Sequence, residues 1–397
     1  MKRVYIITAQ TCLAILALLF CFFRIINITG NRDHLTVGFV YDNDESAPYT
    51  YNFSLAKDAL EKKYGDKLTI YTSSNVMDDD MEEPIREMAE NGCDIIFFNG
   101  YSELVMQLAP EYPDIQFCQT SYMDMYGKTV PANYHTFKGE AYQGRYASGV
   151  VAGIKIKQMI DEGVINEDQA LVGFVAAFPS PEVISGYTAF ILGVRSVVPT
   201  AVMEVSYTHT WCSYAQEKRM AERFIDDGCV IISQHTDTIG PAIACEEASE
   251  IKPVYHVGYN QSMSEVAPST SLVTTRICWE PYVLAAVEAV MTNETIESKV
   301  SGKIHGNDVS AGFDQGWVEL EDLNLQVAAP GTQKSVDYVI SQFKRGYNDF
   351  VYRGNYTGVN PEDPSDTCDL QTAYIENANT SYPLFHYVLN DVVTIVE

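Results

Sequence analysis

Four short clusters hold the side chains that could do chemistry, and each follows an apolar run of strand length. They are Tyr41 with Tyr49, Tyr51 and Asn52; Asn99-Gly100-Tyr101; Phe178 within Ala177-Phe178-Pro179; and His235 with Asp237 in Gln234-His235-Thr236-Asp237. Flat aromatic faces mixed with amide, imidazole and carboxylate groups suit non-covalent capture of a planar heterocycle, with Asn and Asp reading ring nitrogens. Any one strand-end Tyr or Phe could simply cover the core; the recurrence of the pattern at four strand ends favours a binding site. Covalent chemistry is not indicated. No G-x-S-x-G, Walker A, G-x-G-x-x-G or H-E-x-x-H pattern occurs, and the seven histidines are scattered singly. No catalytic residue, metal ligand or cofactor is therefore expected. The nine cysteines include no C-x-x-C pair, which leaves zinc and thioredoxin-like chemistry unsupported. Those beyond the N-terminal region are read as small buried hydrophobes.

The elements that must position these clusters are announced by an internal repeat. Val37-Gly38-Phe39-Val40 recurs as Val172-Gly173-Phe174-Val175, and Gly92-Cys93-Asp94-Ile95-Ile96 is echoed by Gly228-Cys229-Val230-Ile231-Ile232. The markers lie 55 residues apart in the first copy, from Val37 to Gly92, and 56 in the second, from Val172 to Gly228. Short β-branched runs alternate with helical stretches at 55–63, 83–91, 102–112, 216–227 and 281–291. That alternation predicts parallel sheets with crossover helices, hence an α/β fold of two doubly wound lobes. Ligands of such sheets sit beyond the carboxyl ends of the strands, which is where the four clusters fall.

The chain has 397 residues, 46% hydrophobic and 20% charged, enough for two packed cores. Its formal net charge of −27 and its lack of a Lys/Arg cluster argue against nucleic acid as a partner. Lys2 and Arg3 precede an apolar run from Val4 to Phe23, closed by Arg24, which is about long enough to span a bilayer and has no A-x-A-like exit. An uncleaved anchor is expected, with a cleaved signal peptide or lipidation at Cys21 as alternatives. In each case the remaining chain lies outside the cytoplasm, at the outer face of the cell membrane. The tail from Ser335 onward is rich in Asn, Asp and Tyr; Phe385 to Leu389 reads as a strand packed on the second lobe, and no site chemistry is expected there.

Further motifs carry a resemblance. Tyr142-Gln143-Gly144-Arg145-Tyr146-Ala147-Ser148-Gly149, Ala177-Phe178-Pro179-Ser180-Pro181-Glu182-Val183, Trp211 with Glu217-Lys218 downstream, Gln234 to Asp237, Val257-Gly258-Tyr259, Thr274-Thr275 before Trp279, and Gly312-Phe313-Asp314-Gln315-Gly316 occur in one order. Over about 35–332 the chain resembles the basic membrane protein family of ABC-transporter substrate-binding proteins, also called PnrA-like or Med-like. The resemblance implies a type I periplasmic-binding fold whose lobes are joined by a hinge, a purine base or nucleoside as ligand, and delivery to an ABC permease. It implies lobes of 35–145 plus about 275–315 and of 146–274 plus about 316–397, after an N-terminal segment of 1–34. Chain crossings are implied near Gly139 to Gly149, Leu272 to Trp279 and Gly312 to Gly316.

Carried over by residue, Tyr51 and Asn52 match an aromatic-Asn pair that contacts the ligand, Phe178 lies beside the ring that stacks on the base, Trp211 matches a tryptophan of the branch with His-Thr-Asp, and Asp237 would accept from an amino or hydroxyl group. His235 reads equally as a ligand contact or as a hinge or core residue. Two departures stand out. Tyr259 replaces an aspartate that grips ribose hydroxyls in the nucleoside-binding branch, and Cys278 and Trp279 stand where a lysine is expected. Loss of a ribose clamp points to a free base, because hydroxyls left unpaired in a closed cleft are costly. A ligand sensor signalling to a membrane partner through the same cleft is the alternative function.

Overall fold

The protein is described by a computed structural model covering residues 31–397. The expected anchor and Cys21 lie outside the described residues, among which no helix is long and apolar enough to cross a membrane. Two seven-stranded sheets form the frame. The first contains β1 (Leu35–Val40), β2 (Leu68–Ser73), β3 (Ile95–Phe98), β4 (Gln116–Thr120) and β5 (Tyr134–Gly139). The second contains β6 (Leu171–Ala176), β7 (Val202–Tyr207), β8 (Ile231–His235), β9 (Tyr255–Tyr259) and β10 (Ser271–Ile277). The first sheet is completed by β11 (Lys303–His305) and β12 (Asp308–Ala311), and the second by β13 (Val318–Glu321) and a late strand, β17 (Val393–Ile395). The orders are β11-β12-β5-β4-β3-β1-β2 and β13-β10-β9-β8-β6-β7-β17, so five parallel strands follow the same winding in both.

The sequence repeat is a repeat of packing. Val37 pairs with Ile95 in the first sheet and Val172 with Ile231 in the second, the same register in each copy. The repeated glycine is demanded by the helix above it. A Cβ at Gly38 would lie 3.0 Å from Met88 Sδ on the helix Glu82–Glu90, and one at Gly173 would lie 2.7 Å from Phe224 on the helix Tyr214–Asp226. Gly92 and Gly228, just before β3 and β8, take φ of +75° and +100°, a turn that L side chains resist.

Each sheet is covered on both faces, which is why its strands are near-continuous apolar runs. Phe39, Phe53, Phe137, Trp279 and Tyr282 centre one core, and Tyr146, Phe174, Tyr187 and Phe190 another. The helix Ala141–Asp161, entered from β5, already packs in the second core; the helix Glu280–Met291, entered from β10, returns to the first. A third passage runs from Ala311 at the end of β12 to Val318 in β13.

All seven cysteines among the described residues are free, and five are buried as expected. Cys212 is a correction, being exposed, and Cys368 is only half-buried. In the tail, β14 (Thr357–Val359), β15 (Thr367–Asp369) and β16 (Val388–Leu389) form a small sheet, so the strand expected over Phe385 to Leu389 contracts to two residues.

Candidate functional site

The strand ends of the two sheets face each other across a narrow cleft lined by Asp42, Tyr49, Tyr101, Glu182, Trp211, His235, Asp237, Tyr259 and Asn260. On the first lobe these positions are set by a dense hydrogen-bond lattice. Asn99 Oδ1 accepts from the Asp42 backbone N–H at 2.8 Å, and Asn99 Nδ2 donates to Thr50 Oγ1 at 3.2 Å. Thr50 donates to Asp42 Oδ1 at 3.1 Å, and that oxygen also accepts from the Asn43 N–H at 2.8 Å. The Tyr101 N–H donates to Asp78 Oδ1 at 2.9 Å, and Gln119 Nε2 donates to the Gly100 carbonyl at 2.9 Å. Asn99 and Gly100 thus serve as scaffolding behind Asp42 and Tyr101.

On the second lobe the loop backbone is fixed as firmly. Glu217 accepts from the Ser213 and Thr238 N–H groups at 2.9 and 3.2 Å, and the Asp237 N–H donates to the Trp211 carbonyl at 2.8 Å. The side chains facing the cleft are less tied. The His235 ring sits 4.5 Å from the Tyr259 ring and 6.1 Å from Trp211. His235 Nδ1 is buried without a hydrogen-bond partner and packs towards Gly186, where a Cβ would lie 3.1 Å away. Beneath Tyr259 lies the fully buried guanidinium of Arg145, 3.7 Å from the ring centroid and donating to the Gln234 carbonyl at 2.8 Å. Burial pushes Arg145 down to about 10, so it stays cationic at neutral pH. Burial also drives His235 well below the usual imidazole range, with Arg145 and Lys138 adding to the effect, so the ring is neutral. Asp237 moves the opposite way, raised by burial and then by Asp42, Glu217 and Glu182. Asp42 is raised by burial, against its hydrogen bonds.

The lobes meet across the mouth of the cleft. Lys138 Nζ, at the end of β5, pairs with Glu182 Oε2, at the start of the helix Pro181–Arg195, at 2.8 Å; both side chains are nearly buried. The Tyr101 hydroxyl donates to the same carboxylate at 3.5 Å, and the Tyr101 and Trp211 rings stand 6.4 Å apart, one from each lobe. Among the described residues no trio of His, Cys, Asp or Glu is arranged to hold a metal ion.

Of the residues singled out in the sequence, Tyr49, Tyr101, Trp211, His235, Asp237 and Tyr259 come together in the cleft wall. Phe178 stands one layer back, edge-on to Trp211 at 5.4 Å. Four others are elsewhere. Tyr41 is wholly buried against Phe39 and Phe53 in the first core, and Trp279 belongs to the same core, edge-on to Tyr49. Tyr51 is 42% exposed, away from the cleft lining. Asn52 ties the lobes together: its Nδ2 donates to the Ile277 carbonyl and its Oδ1 accepts from Arg276 at 3.2 Å. Asp42, Glu182 and Asn260, and the cations Lys138 and Arg145 behind them, went unremarked as site residues. Strand alternation separates the two residues after β1: Tyr41 shares the core face of Val37 and Phe39, while Asp42 falls on the opposite face just beyond the strand end, where the cleft lies.

Two doubly wound lobes closing on an aromatic and carboxylate cleft define a solute-binding protein of the type I periplasmic-binding fold. The chain belongs to the PnrA-like family of ABC transporter substrate-binding proteins, whose family model matches residues 35–348. It is 28% identical over 264 residues to a purine-binding protein of Brucella abortus (strain 2308), covering 66% of this chain and 70% of that one. It is also 28% identical over 275 residues to a putative ABC transporter glucose-binding protein of Haloferax volcanii, covering 69% of this chain and 63% of that one, less than two thirds of that relative. A solute-binding protein of an ABC transporter system from Aeropyrum pernix K1 shares the fold, with a TM-score of 0.62 at 15% identity over 83% of this chain and 95% of that one. As members of this family are extracytoplasmic binding components of importers, a small-molecule ligand and a permease partner follow.

Proposed function

We propose that the cleft captures a purine, a free base in preference to a nucleoside, for an ABC permease, with the apolar N-terminal run holding the protein at the outer face of the membrane. The observation that carries this reading is the pairing of Tyr101 and Trp211, one ring from each lobe, at a carboxyl group, Asp237, that burial holds towards its neutral form. Rings from both sides favour a flat ligand, and a neutral carboxyl can both donate to a ring nitrogen and accept from an amino group. Charge balance favours a neutral ligand: Lys138 and Arg145 offset two of the three carboxyls in the wall, and the third, Asp237, is the one most easily protonated. The purine-binding Brucella relative supports the ligand class. Tyr259 supports the base over the nucleoside, because its ring is engaged with Arg145 and His235 and offers no carboxylate to ribose hydroxyls.

The test is a calorimetric and thermal-shift panel on the detergent-solubilised full chain with adenine, guanine, hypoxanthine, their nucleosides and glucose. Ligand that binds only the native state raises the melting temperature by mass action. A response to bases that exceeds the response to nucleosides is expected. Nucleosides binding tighter than bases would move the ribose contact to Asp42 or Glu182, and a response to glucose alone would transfer the site to the chemistry named for the Haloferax relative.

A further inference from the structure

The loop Glu376–Phe385 lies beyond the family match, in the tail where the sequence suggested no site chemistry, and its Tyr382 reaches the Lys138–Glu182 pair at the cleft mouth. Its base is pinned to the second lobe. Glu376, almost wholly buried, accepts from Ser185 Oγ at 2.8 Å and from the Leu384 and Phe385 N–H groups at 2.7 and 3.1 Å. Asn377, at φ +54°, folds the loop back by donating to the Thr380 and Ser381 carbonyls at 3.1 and 2.7 Å. The tip so formed, Ala378-Asn379, is exposed, and the returning residues Thr380 and Ser381 are buried against the other lobe. Thr380 Oγ1 accepts from the Met125 N–H at 3.2 Å, and the Ser381 N–H donates to Asp308 Oδ2 at 2.6 Å, Asp308 being the first residue of β12. Next in sequence, the Tyr382 ring lies 5.6 Å from Lys138 Nζ, on the ammonium that pairs with Glu182 across the cleft mouth.

We propose that Glu376–Phe385 is a strap that fastens the lobes in their closed arrangement, with Tyr382 as a positioning residue that keeps Lys138 on Glu182 and so sets how readily the cleft opens. The geometry leaves little alternative to release on opening. The base moves with the second lobe, so any rotation that parts Tyr101 from Trp211 must also draw Thr380 and Ser381 away from Met125 and Asp308. Each broken contact exchanges a hydrogen bond within the protein for hydrogen bonds to water, a modest net cost borne only by the open state. The strap therefore biases the open–closed equilibrium without touching the ligand.

The test is deuterium exchange on the ligand-free full chain in detergent, comparing the parent with Thr380→Ala/Tyr382→Leu and, from the other side of the contact, with Asp308→Asn. In both variants, amides of the cleft loops at 99–103, 180–184, 209–213 and 235–239 are expected to exchange about tenfold faster, while β1 and β6 keep the parental rate. Faster exchange confined to 376–385 would overturn the proposal. So would a uniform rise through both sheets with a lower melting temperature, which would make the loop a staple of the fold. Because no ligand enters the readout, its outcome is independent of the purine reading.

Discussion

The two walls of the cleft are built on the same repeated sheet yet are prepared for binding in different ways. On the first lobe Asp42 and Asn99 spend their polar groups on each other, on Thr50 and on the backbone. On the second, Glu217 and Gln234 fix the backbone of the loop after β8, while Asn260 Nδ2, in the cleft wall itself, is buried without a hydrogen-bond partner. A group already satisfied within the protein holds shape, and one that is not gains most from a ligand. The duplication thus yields a rigid wall and a receptive wall, and the distinction predicts which substitutions damage folding and which damage binding.

The largest effects come from exchanging the carboxylates. Asp237→Leu is expected to weaken purine affinity by about 2–3 kcal/mol, roughly 30- to 150-fold, by removing the buried carboxyl that both donates and accepts. The same substitution is expected to raise the melting temperature at pH 7. The folded-state pKa of Asp237 lies above its unfolded value, so its cost grows as pH rises through the unfolded carboxylate pKa of about 4 and vanishes below it. Asp42→Ala behaves in the opposite manner. It strands the Asn43 N–H and the Thr50 hydroxyl, costing about 1–3 kcal/mol of stability. Calorimetry paired with thermal melts separates the two, and a melting temperature that falls equally in both variants would erase the distinction between the walls.

A middle-sized effect is expected in acid. His256 is buried under the second lobe, its Nε2 donating to Gln234 Oε1 at 3.0 Å, and burial pushes it down to about 3. Its unfolded pKa is about 6.5, so the unfolded chain takes up the proton first and stability falls with pH from about 6.5 towards 3, by up to about 1.4 kcal/mol per pH unit. His235 acts in the same sense. The buried carboxyls Asp42, Asp237, Glu217 and Glu376, raised by burial, act in the opposite sense, so the informative quantity is the difference between parent and His256→Gln. That variant is expected to lose less stability between pH 7 and 5. His256 and His235, the two histidines that burial pushes down, both belong to the second lobe. Acid-induced exchange is therefore expected to begin in the second lobe.

The doubly wound architecture was legible because a repeat of spacing can only be a repeat of packing: Gly38 and Gly173 sit where a helix presses on the strand, and Gly92 and Gly228 where the chain turns with positive φ. The second-lobe wall was legible too, since Trp211, His235, Asp237 and Tyr259 follow or end strands. The first-lobe wall was legible only in part. Reading Tyr41 as the strand-end residue overlooked the alternation that turns it into the core and leaves Asp42, one residue further past the strand end, to line the cleft. Glu182 stands in the first turn of a helix, where a carboxylate already has a structural reason to be. The strap was not legible, because a loop that folds back through Asn377 to meet Asp308 has no period, and its partners lie about 70 to 250 residues away in the chain.

The smallest effect is the most diagnostic for the first lobe. Pro48 opens the helix Pro48–Tyr64, and two steps along a helix of 3.6 residues per turn rotate a side chain by about 200°. Tyr49 and Tyr51 therefore cannot share a face: Tyr49 lines the cleft with its hydroxyl donating to the Asn99 carbonyl at 3.3 Å, and Tyr51 points to solvent. Tyr49→Ala is expected to weaken purine binding by about tenfold through loss of a buried ring face, whereas Tyr51→Ala is expected to change affinity and stability by less than about 0.5 kcal/mol. The family resemblance placed Tyr51 on the ligand, so a null result there assigns the contact to Tyr49. A tenfold loss in Tyr51→Ala would require the N-terminal turn of this helix to rewind when ligand binds, and the first-lobe wall would then be the adaptable one.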